Sequence, residues 1–270
     1  MSSEDVSTRM YRERGDRVSD DAGDGPPVVF SHGTLMDRRM FAPQFEALAP
    51  AYRCVAYDSR ARTDRYAEGY DLDDLADDCA AVMDHHGIDS AVFAGMSMGG
   101  FMGLRFALRY PDRLEGLVLI DSMAEAHTPE ERERYEAMLA QLRESVDVPE
   151  GLAGIVANLL FGETSNAQRQ GLVDSWVDRW LTYPATAVVN EVESWLYRED
   201  VSDRLGEIDV PVLVVHGEED AAIDPARAGP VAERVPDGRL ELIPDAGHSS
   251  NLENPEPVNA ELRAFLDLVY

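Results

Sequence analysis

The feature that most constrains this chain is the run Gly-Met-Ser-Met-Gly at 95–99, because it joins segments of two different kinds. Residues 91–94 are apolar and predict a buried strand, whereas the apolar residues from 98 to 108 recur at helical spacing. A strand that turns abruptly into a helix strains the backbone of its central serine and holds the hydroxyl clear of the sheet. The flanking glycines leave room where a β-carbon would meet neighbouring backbone. The run therefore predicts a nucleophile elbow centred on Ser97.

Strand-like and helix-like segments alternate along most of the chain, which predicts an α/β fold with a mainly parallel sheet between helices. The predicted strands are 27–31, 53–57, 91–94, 117–120, 211–216 and 239–243, and the predicted helices include 41–49, 72–86, 98–108 and 258–269. The alternation stops between 122 and 201. We expect residues 1–121 and 202–270 to form the α/β core. Residues 122–201 are expected to form a helical cap over the carboxyl ends of the strands, where such sheets bind ligands.

A nucleophilic serine needs a base to accept its proton and an acid to orient that base. Asp220 and His248 each follow a predicted strand, and the order Ser97, Asp220, His248 is typical of an α/β-hydrolase. Asp121 and Asp224 are alternative acids. Asp224 precedes a proline and has the character of a helix start. Asp121 ends the strand before the insertion.

The oxyanion formed by serine attack needs two backbone N–H donors. One is predicted at Met98, directly after the serine. The other is predicted at Thr34, in the loop after the strand 27–31, with Leu35 as the alternative. The methionines near this loop and the elbow suit either an apolar acyl pocket or ordinary core packing. These methionines are Met36, Met96, Met98 and Met102.

With these residues in place, the chain resembles the α/β-hydrolase superfamily from about residue 10 to residue 270. Within it the chain is similar to the small serine hydrolases that include carboxylesterases, enol-lactonases and cofactor-free haloperoxidases. The segments 31–34, 95–100 and 247–255 carry the resemblance. It implies Ser97 as nucleophile, His248 as base, Asp220 as acid, and the amides of Thr34 and Met98 as oxyanion donors.

The loop at 58–64, Asp-Ser-Arg-Ala-Arg-Thr-Asp, departs from the family, because relatives usually carry a Gly-x-Gly-x-Ser type of loop there. We therefore expect the rim of the pocket to differ in shape. Serine at 97 also separates the chain from haloalkane dehalogenases and epoxide hydrolases, which attack through an aspartate at that place.

The chain carries a net charge of −28, and all 24 of its basic residues are arginine. So strong an excess of acidic residues disfavours nucleic acids and anionic membranes as partners, because both bind to basic patches. In molar salt the Debye length is only ~3 Å, so the repulsion between its acidic groups would be largely screened. This composition favours a halophilic protein over an acidic mesophilic one.

The sequence favours a cytoplasmic location, because residues 1–5 are acidic, no apolar run follows them as in a secretory signal, and no membrane span is present. Cys54 and Cys79 are expected to be buried thiols without a disulfide. The spacing of His, Cys and carboxylates predicts no metal site, and the chain has no Gly-rich nucleotide fingerprint, so no cofactor is expected.

The predicted activity is that of a serine hydrolase that cleaves small carboxylic esters or lactones through an acyl-enzyme. Two alternatives use the same triad: a cofactor-free haloperoxidase or perhydrolase, and a C–C bond hydrolase. An alternative of another class is a ligand sensor with this fold and negligible turnover. The complete set of triad and oxyanion elements favours an enzyme.

Overall fold

Seven strands form one sheet in the computed structural model of the protein, which describes residues 18–270. The strands are β1 (Ser19–Ala22), β2 (Pro27–Ser31), β3 (Arg53–Tyr57), β4 (Ala91–Met96), β5 (Leu114–Ile120), β6 (Val212–Gly217) and β7 (Gly238–Ile243). They are arranged in the order β1-β3-β2-β4-β5-β6-β7, with β1 antiparallel to β3 and the other neighbouring pairs parallel. The predicted α/β class with a mostly parallel sheet is confirmed. The expectation for residues 1–5 lies outside the described residues.

The central strands are buried on both faces because helices cover the sheet on each side. Every residue of β4 and of β6 is buried, and both strands read as apolar runs rather than as alternating patterns. Parallel strands have this composition because crossover helices shield both of their faces from water. The ends of β4 and β6, from which the loops with Ser97 and Asp220 start, are therefore buried.

The sequence does not predict β1, which consists of Ser-Asp-Asp-Ala and lacks an apolar face. It forms because the exposed edge of β3 offers backbone partners, and because Arg53 of β3 holds the carboxylate of Asp21 at 2.7 Å. The pairing leaves the acidic side chains of this edge strand partly in solvent. Charged residues on an edge strand also oppose pairing with another chain.

Eleven α-helices lie within residues 18–270, some of them extended by short 3₁₀ turns. They are α1 (Ala42–Leu48), α2 (Leu72–His85), α3 (Met98–Arg109), α4 (Pro129–Arg143), α5 (Glu150–Leu160), α6 (Glu163–Gln168), α7 (Gln170–Trp180), α8 (Ala185–Leu196), α9 (Ala228–Arg234), α10 (Ser250–Glu253) and α11 (Pro255–Val269). The helix predicted at 41–49 begins as a 3₁₀ turn, Arg38–Phe41, and continues as α1. The helices α2 and α4 begin with capping boxes, Asp71 with Asp74 and Thr128 with Glu131, which satisfy amides at their first turns.

The segment between β5 and β6 contains the five helices α4 to α8 and no strand of the sheet. The aromatic core of this segment includes Trp180, which is fully buried and stacks on Phe161 with ring centroids 6.1 Å apart. Among residues 18–270, no helix combines the length and the apolar character needed to cross a membrane. Cys54 and Cys79 are both buried free thiols.

Candidate active site

Ser97 occupies the sharp turn between β4 and α3, and its backbone is strained. Its φ is 51° and its ψ −113°, in a region that residues with a β-carbon rarely adopt. The turn needs both flanking glycines: a β-carbon on Gly95 would lie 2.2 Å from the carbonyl oxygen of Gly99, and one on Gly99 would lie 2.2 Å from that of Ser31. The strand, turn and helix predicted around this serine are all present.

The side chains of Ser97, His248 and Asp220 form a continuous chain of hydrogen bonds. Nε2 of His248 lies 2.8 Å from Oγ of Ser97, and Nδ1 of His248 lies 2.7 Å from Oδ2 of Asp220. Because an ionised carboxylate can only accept, Nδ1 carries the ring proton and Nε2 is left to accept from the hydroxyl. All three residues are buried. This is the arrangement in which an imidazole can take the proton of a serine.

The loop after β6 orients Asp220 and keeps it ionised. Its Oδ1 accepts hydrogen bonds from the amides of Ala222 and Ile223 at 2.8 and 2.9 Å, and its Oδ2 lies 2.9 Å from Nε2 of His216. Burial alone would raise the pKa of Asp220, but the adjacent His248 and His216 outweigh it and hold that pKa below its ordinary value. Conversely, burial lowers the pKa of His248, and the carboxylate of Asp220 more than reverses this, so the pKa is raised.

The alternative acids have other partners. Asp224 accepts from the amide of Ala226 at 2.9 Å and caps a 3₁₀ turn, as its proline-flanked sequence predicts. Asp121 accepts from the amide of Gly217 at 2.9 Å, and from the amide and hydroxyl of Ser250 at 2.9 and 2.8 Å. It therefore ties the end of β6 to the start of α10, next to the histidine loop.

Asp121, His216 and Asp220 bring ligand-type atoms within 4.8 Å of one another, a cluster that the sequence spacing does not predict. Hydrogen bonds to protein account for the carboxylate oxygens of both aspartates. Nε2 of His216 lies 3.0 Å from the carbonyl oxygen of Ile223 and, as a donor, also serves Asp220. Among residues 18–270, the Nδ1 atom of His216 has no partner. The hydrogen bonds of this cluster therefore hold the loop that carries Asp220.

The loop after β2 presents the predicted oxyanion donors and their alternative. Leu35 has a φ of 64°, and its amide donates to Oε2 of Glu191 at 3.0 Å, so this N–H is already engaged. The amides of Thr34 and Met98 have no acceptor within the part of the chain that the structure describes. The hydroxyl of Thr34 accepts from the indole N–H of Trp195 at 2.8 Å. The geometry favours Thr34 over Leu35 as a donor.

The unusual loop at 58–64 supplies a buried cation to the same place. Nη2 of Arg62 donates to Oε2 of Glu191 at 2.9 Å, its Nε donates to the carbonyl oxygen of Met36 at 2.9 Å, and its guanidinium lies 4.1 Å from the ring centroid of Tyr183. Glu191 is fully buried on α8. The loop after β2 is therefore held by an ion pair that joins it to the segment between β5 and β6.

Comparisons with known proteins agree with this architecture. A family model described as the α/β hydrolase fold matches residues 26–255. The chain belongs to the α/β hydrolase family. It is 31% identical to a non-heme chloroperoxidase from Streptomyces lividans, over 97% of each chain, and 28% identical to a 3-oxoadipate enol-lactonase from Acinetobacter baylyi, over 86% of this chain and 85% of that one. The solved structure of a thermophilic esterase from Thermogutta terrifontis superposes with a TM-score of 0.87 at 30% identity, covering 93% of each chain.

The histidine loop of this hydrolase is held by a buried carboxylate that sequence reasoning does not single out. Glu253 accepts from the amides of Gly247 and Ser249 through Oε1 at 3.0 and 3.1 Å, and from the amide of Gly162 through Oε2 at 2.8 Å. Burial raises the pKa of Glu253, and no cation of residues 18–270 contributes to lowering it. It fixes the backbone on both sides of His248.

An apolar pocket opens beside Ser97 and His248 in the hydrolase, and most of its wall comes from α4, α5 and α8. Trp195 and Leu160 line it, whereas Trp180 and Phe161 pack inside the segment between β5 and β6. The four methionines near the elbow do not line this pocket but are buried in the core: Met36, Met96, Met98 and Met102. The sequence allows these methionines to form an acyl pocket or to pack in the core, and the structure shows core packing.

Proposed function

We propose that the protein is a serine hydrolase that cleaves small carboxylic esters or lactones through an acyl-enzyme. The observation that carries the proposal is the hydrogen-bonded chain from Asp220 through His248 to Ser97, at the mouth of an apolar pocket. Relatives named as an esterase and an enol-lactonase support the substrate class.

In the first half-reaction, Oγ of Ser97 attacks the substrate carbonyl while Nε2 of His248 takes its proton. Asp220 stabilises the imidazolium through Nδ1–H. The amides of Thr34 and Met98 donate to the oxyanion, each contributing about 3 kcal/mol to stabilisation of the transition state. Collapse of the tetrahedral intermediate expels the alcohol, which takes its proton from His248.

In the second half-reaction, water attacks the acyl-enzyme and gives a proton to His248. The new tetrahedral intermediate collapses, Ser97 recovers the proton, and the carboxylic acid leaves. Hydrogen peroxide in place of water would yield a peracid by the same route. A peroxide arm in the assay therefore separates hydrolysis from perhydrolysis.

We also propose that residues 122–201 act as a cap whose helices shape the acyl pocket. Leu139 of α4, Val156 of α5 and Val188 of α8 line this pocket together with Ser97 of the α/β core. A preference among acyl groups would then be determined largely by the cap. The net charge of −28 supports a further proposal, that the enzyme works in molar salt. A cytoplasmic location stays a prediction from the sequence.

The test is hydrolysis of a panel of p-nitrophenyl esters and lactones in molar KCl, with proton release as the readout. Ser97→Ala should lower kcat/KM by at least about 10⁴-fold. Ser175→Ala, an exposed serine on α7, is the matched control and should keep the wild-type rate. Retained turnover in Ser97→Ala would remove the proposed nucleophile, and no turnover of any substrate by the wild type would favour a ligand sensor.

A further inference from the structure

His127 and Tyr135 place polar atoms in the largely apolar wall of the acyl pocket. Both side chains line the pocket, alongside residues such as Leu139 and Val192. The rings pack edge to face, with centroids 5.2 Å apart, and Tyr135 also packs edge-on against Trp195 at 4.9 Å. Apolar pockets gain specificity from a few placed polar groups of this kind.

The contact with Arg198 fixes the tautomer of His127. Nη1 of Arg198 lies 2.6 Å from Nδ1 of His127. A guanidinium can only donate, so Nδ1 accepts and the ring proton is carried by Nε2. Burial and the adjacent Arg198 cation lower the pKa of His127 to about 3, so the ring is neutral at working pH. The Nε2–H group makes no hydrogen bond within residues 18–270.

Arg198 is a buried cation that polarises this imidazole from behind. No carboxylate of residues 18–270 forms an ion pair with it. Its guanidinium is held by the carbonyl oxygens of Glu125 and Trp195 at 2.5 and 3.3 Å, and it lies 3.8 Å from the ring centroid of Phe101. Arg198 does not line the pocket. Its charge therefore strengthens the Nε2–H donor without reaching a ligand directly.

The hydroxyl of Tyr135 is a second donor, on a ring that packs edge to face against the ring of His127. It makes no hydrogen bond to any described residue, although the ring is fixed by His127 and Trp195. A bound oxygen that accepts from this hydroxyl forms a hydrogen bond in surroundings of low polarity, where such a bond is stronger than in water.

We propose that Nε2–H of His127 and the hydroxyl of Tyr135 bind a neutral carbonyl oxygen within the acyl chain of the substrate. A ketone oxygen has two lone pairs and can accept from both donors. A carboxylate fits less well, because its charge would be buried without direct contact to a cation. The inference rests on the proposed function, since it assigns the acyl group that the Ser97 site receives.

The test compares p-nitrophenyl octanoate with analogues in which a ketone replaces one methylene at successive chain positions. At one position, wild-type kcat/KM should exceed that of the plain ester by roughly tenfold, mainly through KM, because the contact is remote from the reacting atoms. In His127→Phe this ratio should fall to about one, and in Tyr135→Phe it should fall in part. Tyr197→Phe, an exposed tyrosine, is the matched control and should keep the ratio.

Binding to Ser97→Ala, followed by tryptophan fluorescence, gives the same comparison as a ratio of Kd values and needs no turnover. This arm separates the two proposals: absence of turnover together with a Kd preference contradicts only the proposed function. Equal kcat/KM at every ketone position in the wild type overturns the inference. A ketone preference that persists in both Tyr135→Phe and a folded His127→Phe variant also overturns it. If His127→Phe does not fold, the result for Tyr135→Phe alone determines the outcome.

Discussion

Breaking the buried ion pair between Arg62 and Glu191 should destabilise the protein far more than breaking an ion pair at the surface. Arg62→Met leaves the carboxylate of Glu191 fully buried, with only the Leu35 amide against Oε2 and no partner for Oε1 among residues 18–270. Removing one partner of a buried pair costs about 3–5 kcal/mol. At about 2–4 °C per kcal/mol for a chain of this size, Tm should fall by roughly 6–20 °C.

The assay is thermal unfolding followed by circular dichroism in molar KCl. Arg143→Met is the matched control, because Arg143 pairs with Glu193 at 2.6 Å while both side chains are about two-fifths exposed, at 43% and 41%. It should cost less than about 1 kcal/mol. The double variant Arg62→Met with Glu191→Gln leaves neither charge uncompensated, so it should recover about 1–3 kcal/mol relative to the sum of the single variants. An Arg62→Met variant no less stable than the control, or strictly additive effects, would show that the pair between Arg62 and Glu191 does not stabilise the protein.

Three further outcomes follow from the same structure. The pKa of His248 is raised above its ordinary 6.5, and this residue must be neutral to act as the base. We therefore expect kcat/KM to decline as the pH falls through a value above 6.5. A decline centred below pH 6 would contradict this. Dialysis from molar KCl to about 20 mM should unfold the protein, and added sucrose should not replace the salt. A protein that stays fully folded in low salt would contradict the proposal that it is halophilic. Trp195→Phe deletes the donor to Thr34 and should lower kcat/KM about two- to tenfold, with an unchanged rate as the contrary result.

The sequence predicts those parts of the molecule in which chemistry and chain order agree. A serine between a strand and a helix, and an aspartate and a histidine each after a later strand, are local signals, and the parallel sheet brings the three loops together. The order of β4, β5, β6 and β7 in the sheet follows the order in the chain, so little long-range information is needed.

Other contacts join residues that are far apart in sequence and carry no local signal. Arg62 and Glu191 are 129 residues apart, and His127 acquires its tautomer from Arg198, 71 residues later. The loop at 58–64 departs from the family pattern, which draws attention to Arg62 but gives no indication that Glu191 is its partner. The strand β1 escapes prediction because β3, and not its own composition, determines its conformation.

The most direct test of the central claim is covalent labelling of the wild-type protein with a fluorophosphonate in molar KCl, followed by peptide mass spectrometry. We expect a single adduct on Ser97, formed in parallel with loss of esterase activity, and much slower labelling in His248→Ala, which lacks the base. An unlabelled Ser97 in folded protein, or an adduct on another residue that accounts for the lost activity, would contradict it.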